Sequence, residues 1–326
     1  MKNSICAFVL AAFCVSCGDS SDEPTASATQ VAINTETFTV VDETAFRQLL
    51  PADASVNKLA GDLIFVEGPV WINDDGGYLV FSDIPANELK RWDATDGVQT
   101  FRSPSGNANG NTLDLQGRLL SAQHNGRVTR TETDGSITTV VERVDGNSLS
   151  SPNDVVVKSD GSLWFTDPPY GLGDRTQETT GNHVYRFDPA TSTATAVVTD
   201  ADRPNGLCFS PDENTLYVAD SGMETRHIRA FTVNGDGTSL SGGDVLVTLD
   251  QGAPDGIRCD ALGNIWSSSG DGAQVFAPAG DLIVRILLPE SAANLAFGGP
   301  DGKTVFFTAR SSLYSVPALV GDAHAR

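Results

Sequence analysis

Ser151-Pro152-Asn153-Asp154-Val155-Val156-Val157 is followed, after Lys158 to Ser162, by Leu163-Trp164-Phe165-Thr166-Asp167. The two apolar runs flank Asp160-Gly161, a turn pair, and read as an antiparallel hairpin. Five further copies stand in the chain. Their first halves open at Glu67-Gly68-Pro69-Val70-Trp71, Asn109-Gly110, Asn205-Gly206-Leu207, Asp255-Gly256-Ile257 and Asn294-Leu295-Ala296-Phe297. Their second halves are Leu79 to Asp83, Leu119 to Gln123, Leu216 to Asp220, Ile265 to Ser269 and Val305 to Ala309. The six starts, from Glu67 to Asn294, lie 42, 44, 52, 50 and 39 residues apart, the spacing of propeller blades. Third strands such as His183 to Phe187 and fourth strands such as Ala194 to Thr199 complete the unit. With no long helical periodicity, the expectation is an all-β fold, a six-bladed β-propeller over residues 36–326. The last repeat has room for three strands, so a segment within Glu36 to Phe65 is expected to supply its fourth and close the ring.

Composition agrees with this reading. Thirty-two Gly and 16 Pro among 326 residues provide many turns. Lys and Arg number 21 against 42 Asp and Glu, a net charge of −21. Such a chain repels nucleic acid and anionic lipid and leaves divalent cations and neutral small molecules as partners. Of five Cys, Cys6, Cys14 and Cys17 lie near the start; Cys208 and Cys259 fall in apolar strands and are expected to be small buried fillers rather than a bridge.

Lys2 and the apolar run from Ile5 to Val15 read as a secretory signal over residues 1–16. It ends in the lipobox-like Cys14-Val15-Ser16-Cys17, with Cys14 where such boxes usually carry Leu. Lipidation at Cys17 is therefore expected, with residues 17–35 as a polar tether. The protein would be exported and held by its lipid on the periplasmic side of a bacterial membrane or at the cell surface.

Antiparallel strands bring the residue before the first strand and the residue after the second to the same end. Glu67, Asn109, Asn153, Asn205, Asp255 and Asn294 should then converge on one mouth of the channel. A second ring there comprises Asp83, Gln123 with His124, Asp167, Asp220, Ser269, and Ala309 with Arg310. Hard oxygens without Cys or His suit Ca²⁺ best, with Mg²⁺ and Mn²⁺ next and Zn²⁺ last. Glu67 and Asp255 balance a divalent charge. Asn109, Asp167 and Arg310 are the candidate substrate contacts.

Phe65-Val66-Glu67-Gly68-Pro69-Val70-Trp71, Ser151-Pro152-Asn153-Asp154, Trp164-Phe165-Thr166-Asp167-Pro168-Pro169-Tyr170-Gly171, Arg203-Pro204-Asn205-Gly206 and Ala253-Pro254-Asp255-Gly256 resemble the senescence-marker-protein/gluconolactonase/luciferin-regenerating-enzyme-like family over about residues 58 to 317. The bacterial gluconolactonases are the most similar branch. The resemblance implies a catalytic divalent cation on Glu67, Asn153, Asn205 and Asp255, and opening of a sugar lactone by water. It suggests Asp255 as the base; Asp220, in the adjacent blade, is the second candidate, and His124 is placed to orient substrate or relay a proton. Some animal members carry a substrate-binding Arg two residues before the motif Asn, where this chain has Ser151. No Gly-x-Ser-x-Gly elbow is present. Two other readings stand beside the lactonase: a phosphotriesterase-like hydrolase on the same scaffold, and a non-enzymatic module whose metal stabilises the ring.

Overall fold

The structure is a computed structural model, and it describes residues 32–326. The signal segment, Cys17 and the tether up to Val31 lie outside the described residues.

Among the described residues six antiparallel blades follow one another, with a two-stranded ladder, Arg143–Val144 against Asn147–Ser148, between the second and the third. Blade 1 runs through Val66–Ile72, Tyr78–Asp83, Glu88–Asp93 and Gly97–Arg102, and blade 2 through Ala108–Leu113, Leu119–Gln123, Arg127–Thr131 and Ile137–Val141. Val155–Val157, Leu163–Asp167, His183–Asp188 and Thr193–Val198 form blade 3, and Pro204–Phe209, Thr215–Asp220, His227–Val233 and Leu240–Thr248 form blade 4. Blade 5 is built on Ile257–Cys259, Ile265–Ser269, Gly272–Phe276 and Leu282–Leu287, and blade 6 on Asn294–Gly298, Thr304–Ala309 and Ser312–Pro317.

Successive side chains of a strand point to opposite faces, and here each face meets a neighbouring blade. Leu163 and Phe165 pack with Leu120 and Val128 of blade 2, while Trp164 between them packs with Leu207 and Val218 of blade 4. Among the described residues there are six such apolar clusters, each at a blade junction. Burial on both faces explains why the second strands read as unbroken apolar runs. Cys208 and Cys259 are free, buried thiols in the junction of blades 4 and 5, as the sequence suggests.

Asn57–Ala60 is the closing strand of blade 6, pairing with Ser312–Pro317 inside the expected segment. The residues before it add what the repeat does not announce. Phe38–Val40 forms a fifth strand on blade 5, with Phe38 opposite Ile286. A short helix, Glu43–Leu49, is capped by Asp42, whose side chain accepts the Ala45 amide at 3.0 Å, and it buries Phe46 and Leu49 in the junction of blades 5 and 6. Ile33 already packs on this cluster, ahead of the Glu36 boundary.

Residues 319–326 cross the channel at the end where the innermost strands finish. Ala323 donates its amide to the Cys259 carbonyl at 3.0 Å, His324 Nε2 lies 3.1 Å from the Ser210 carbonyl, and Arg326 Nη1 donates to the Leu113 carbonyl at 3.0 Å. The Arg326 carbonyl accepts from Asn73 Nδ2 at 3.1 Å. One segment thereby ties five blades, Arg326 also donating to the Val157 carbonyl of blade 3, and the starts of the innermost strands stand at the opposite mouth.

Candidate functional site

At that mouth Glu67, Asn109, Asn153, Asn205, Asp255 and Asn294, at or just before the starts of the six innermost strands, make a ring in which hydrogen bonds join four members in one run and two in another. Asn153 Nδ2 donates to Asn205 Oδ1 at 2.5 Å, and Asn109 Nδ2 donates to Asn153 Oδ1. Asn205 also hydrogen-bonds Asp255, and Asn294 Nδ2 donates to Glu67 Oε2 at 3.0 Å. The blades approach closely because glycine follows most ring residues. Gly68, at φ +49°, has no room for a Cβ, which would lie 1.9 Å from the Asn109 carbonyl; at Gly206 it would lie 2.3 Å from that of Asp255.

Glu67 is buried and Asp255 half-buried. Burial raises the Glu67 pKa from 4.5 to about 7, with the Asp154 charge adding to the effect and the Gly68 amide opposing it. Asp255 is raised well above the carboxylate range, by burial first and then by Glu67 and Asp154. Beneath the ring, Asp154 accepts from Arg258 Nη1 at 3.1 Å, a buried ion pair. Asn109 Oδ1 is buried without a partner. Two carboxylates that resist sharing negative charge, amide oxygens beside them and an orphaned acceptor together fit a hard divalent cation. Among the described residues no three His, Cys, Asp or Glu cluster, so such a site depends on the asparagines.

His124 joins this ring. Its Nε2 lies 3.1 Å from Asn109 Nδ2 and 3.3 Å from Asn153 Oδ1. Burial lowers its pKa, helped by Arg175, so the imidazole is neutral near pH 7.

The second ring behaves differently from its expectation. Asp167 accepts the amides of Ser150 and Ser151 at 2.9 and 2.8 Å, and Asp220 those of Asp202 and Arg203 at 2.9 and 2.8 Å. Asp83 does the same for Ile64 and Phe65. In each case the clamped amides stand three and two residues before the ring residue. Asp167, expected to touch substrate, and Asp220, the second candidate for the base, are buried and clamp the loops that carry Asn153 and Asn205. Both Asp167 oxygens accept backbone amides, Asp220 Oδ1 also takes the Thr225 hydroxyl at 3.0 Å, and burial raises Asp167 to about 6. Arg310 is exposed on the turn after Thr304–Ala309, and its carbonyl accepts the Val66 amide at 2.8 Å.

Tyr170 was quoted in the sequence without a role. Its hydroxyl interacts with Ser221 and Asn205 and feels the Asp255 charge, and burial of the phenol pushes its pKa up to about 12. It belongs to a loop present in one blade only, so comparison among the repeats could not single it out. Ser151 holds that loop: its Oγ donates to the Pro168 carbonyl at 2.6 Å and accepts the Gly171 amide at 2.9 Å.

The molecule is thus a six-bladed propeller with a ring of side-chain oxygens, two of its members carboxylates, at one channel mouth. The sequence profile of the SMP-30/Gluconolactonase/LRE-like region matches residues 65–311, and the chain belongs to that family. It is 31% identical over 303 residues to a gluconolactonase of Zymomonas mobilis, covering 82% of each chain. A pentonolactonase of Haloferax volcanii is 29% identical over 250 residues, 74% of this chain and 80% of the relative. A gluconolactonase structure from Xanthomonas campestris superimposes with a TM-score of 0.81 at 33% identity, covering 88% of this chain and 97% of that one.

Proposed function

We propose that this protein is a divalent-metal-dependent lactonase, opening a sugar lactone such as gluconolactone to its hydroxy acid. The observation that carries the reading is the ring of Glu67, Asn153, Asn205 and Asp255 at one channel mouth, in a chain whose relatives are named gluconolactonase and pentonolactonase. These four residues would hold the ion, Ca²⁺ by preference, with Mg²⁺, Mn²⁺ or Zn²⁺ as alternatives. When bound, the cation supplies Lewis-acid polarisation of the lactone carbonyl, worth several kcal/mol.

The side chains account for the rest. Asp255, half-buried at the ring, takes the proton as water adds to the carbonyl carbon, and returns one to the ring oxygen as the C–O bond breaks. Glu67 contributes charge, with Asn294 and the Gly68 amide fixing its Oε2. Asn109 and neutral His124 stand on the blade 2 side of the ring and offer hydrogen bonds to substrate. The sequence of residues 1–31 fits the same reading as a secretion signal and a lipid anchor at Cys17, which would put the enzyme outside the cytoplasm.

A lactone panel assayed after chelation, with single metals added back, tests this. Gluconolactone turnover should vanish on chelation and return with Ca²⁺. Full activity in rigorously metal-free protein, or no hydrolysis of any lactone with any metal, overturns it.

A further inference from the structure

The connection between the second and third strands of blade 3 spans residues 168–182, fifteen residues, where the same connection in the other blades takes two to six. This long loop is tied to the mouth. Besides the two Ser151 bonds, Arg175 Nη2 donates to the carbonyls of His124 and Ser150, each at 2.5 Å. Gly171 lies so close to His124 that a Cβ there would sit 2.3 Å from the His124 Cβ. The loop thereby lies against His124 of blade 2 and carries Tyr170 to the blade 4 side of the mouth.

There the Tyr170 hydroxyl meets Asn205 and Ser221, yet the residue remains 40% exposed. The Arg203 guanidinium lies 5.6 Å from its ring centroid. Folding would bury an aromatic ring held on so well tied a loop if packing were its purpose. Instead a phenolic hydroxyl stands at the ring of oxygens on a side chain that keeps 40% of its surface exposed beside Arg203. A polyhydroxylated lactone has the complementary surface: hydroxyls along its edge and C–H groups across its face.

We propose that Tyr170 positions substrate and selects hydroxylated lactones, its hydroxyl bonding a sugar hydroxyl while its ring covers the sugar's C–H face. The proposal rests on the lactonase reading and adds to it the residue that discriminates hydroxylated from unsubstituted lactones.

The test compares Tyr170→Phe, which removes one oxygen, with the parent on glucono-δ-lactone and on unsubstituted δ-valerolactone. Calorimetric binding of Ca²⁺ and of 1,5-gluconolactam, a non-hydrolysable isostere, accompanies it. A lost hydrogen bond at the mouth should lower the gluconolactone to valerolactone ratio of kcat/KM about tenfold, mainly through KM, and weaken the lactam by a similar factor. Calcium affinity should hold. An unchanged ratio overturns the proposal, as does a parallel fall in calcium affinity, which would make Tyr170 a support for Asn205 alone. A parent that neither hydrolyses either lactone nor binds the lactam refutes the lactonase reading itself, and this proposal with it.

Discussion

The Asp220 carboxylate accepts the backbone amide of Arg203 at 2.8 Å, and Arg203 stands two residues before Asn205 in the oxygen ring. The same relation joins Asp167 to Ser151 ahead of Asn153, and Asp83 to Phe65 ahead of Glu67. A carboxylate at the end of the second strand thus fixes the loop that delivers three of the six ring residues. Asp220→Asn should lower stability by about 2 kcal/mol, because the amide nitrogen would face backbone donors. Thermal melting checks this. A variant that loses turnover with an unchanged melting curve would return the base role to Asp220.

Glu67→Gln and Asp255→Asn each remove one charge from the ring, but they should fail differently. High Ca²⁺ is expected to recover much of the activity of Glu67→Gln, since weakened binding is its main defect. Asp255→Asn also loses the proton acceptor, so saturating metal should restore occupancy while turnover stays down at least a hundredfold. Calcium titrations followed by both calorimetry and lactone hydrolysis separate the two.

Metal-free protein should lose stability as pH rises. Burial holds Glu67 at about 7 against an ordinary 4.5, so the fold binds an extra proton between those values. Its contribution is whole below about 4.5 and is lost as the pH passes through about 7. Melting temperatures after chelation should fall across that window, and Ca²⁺ should raise the curve most at its upper end. A flat profile in protein shown to be free of metal contradicts the burial that raises the Glu67 pKa.

Arg258→Met strands the Asp154 carboxylate beneath the ring. Removing one partner of a buried pair costs about 3–5 kcal/mol, and denaturant unfolding should show a loss of that order. The double variant Asp154→Asn with Arg258→Met should recover part of it, since no buried charge is then left alone.

Cys17→Ala should move the protein from the membrane fraction to the soluble fraction and abolish uptake of labelled fatty acid. Identical fractionation of variant and parent, with no label in either, would remove the lipid anchor.

The blades and the ring were legible in the sequence because every blade obeys one register. A residue at the start of an innermost strand is compared with five others in the same place, and the shared Asx or Glu at Glu67, Asn109, Asn153, Asn205, Asp255 and Asn294 stands out. The closing strand followed from counting, as a propeller with three strands in its last blade needs a fourth from elsewhere. What has no second copy stayed silent. The Phe38–Val40 strand on blade 5, the segment 319–326 across the far end of the channel and the loop bearing Tyr170 each occur once. Direction was hidden as well: at the end of the second strand an aspartate reads the same whether it faces the channel or the backbone. Only the folded chain decided that Asp167 and Asp220 turn toward unpaired amides, because a buried carboxylate is stabilised by whatever donors the tertiary packing brings within reach.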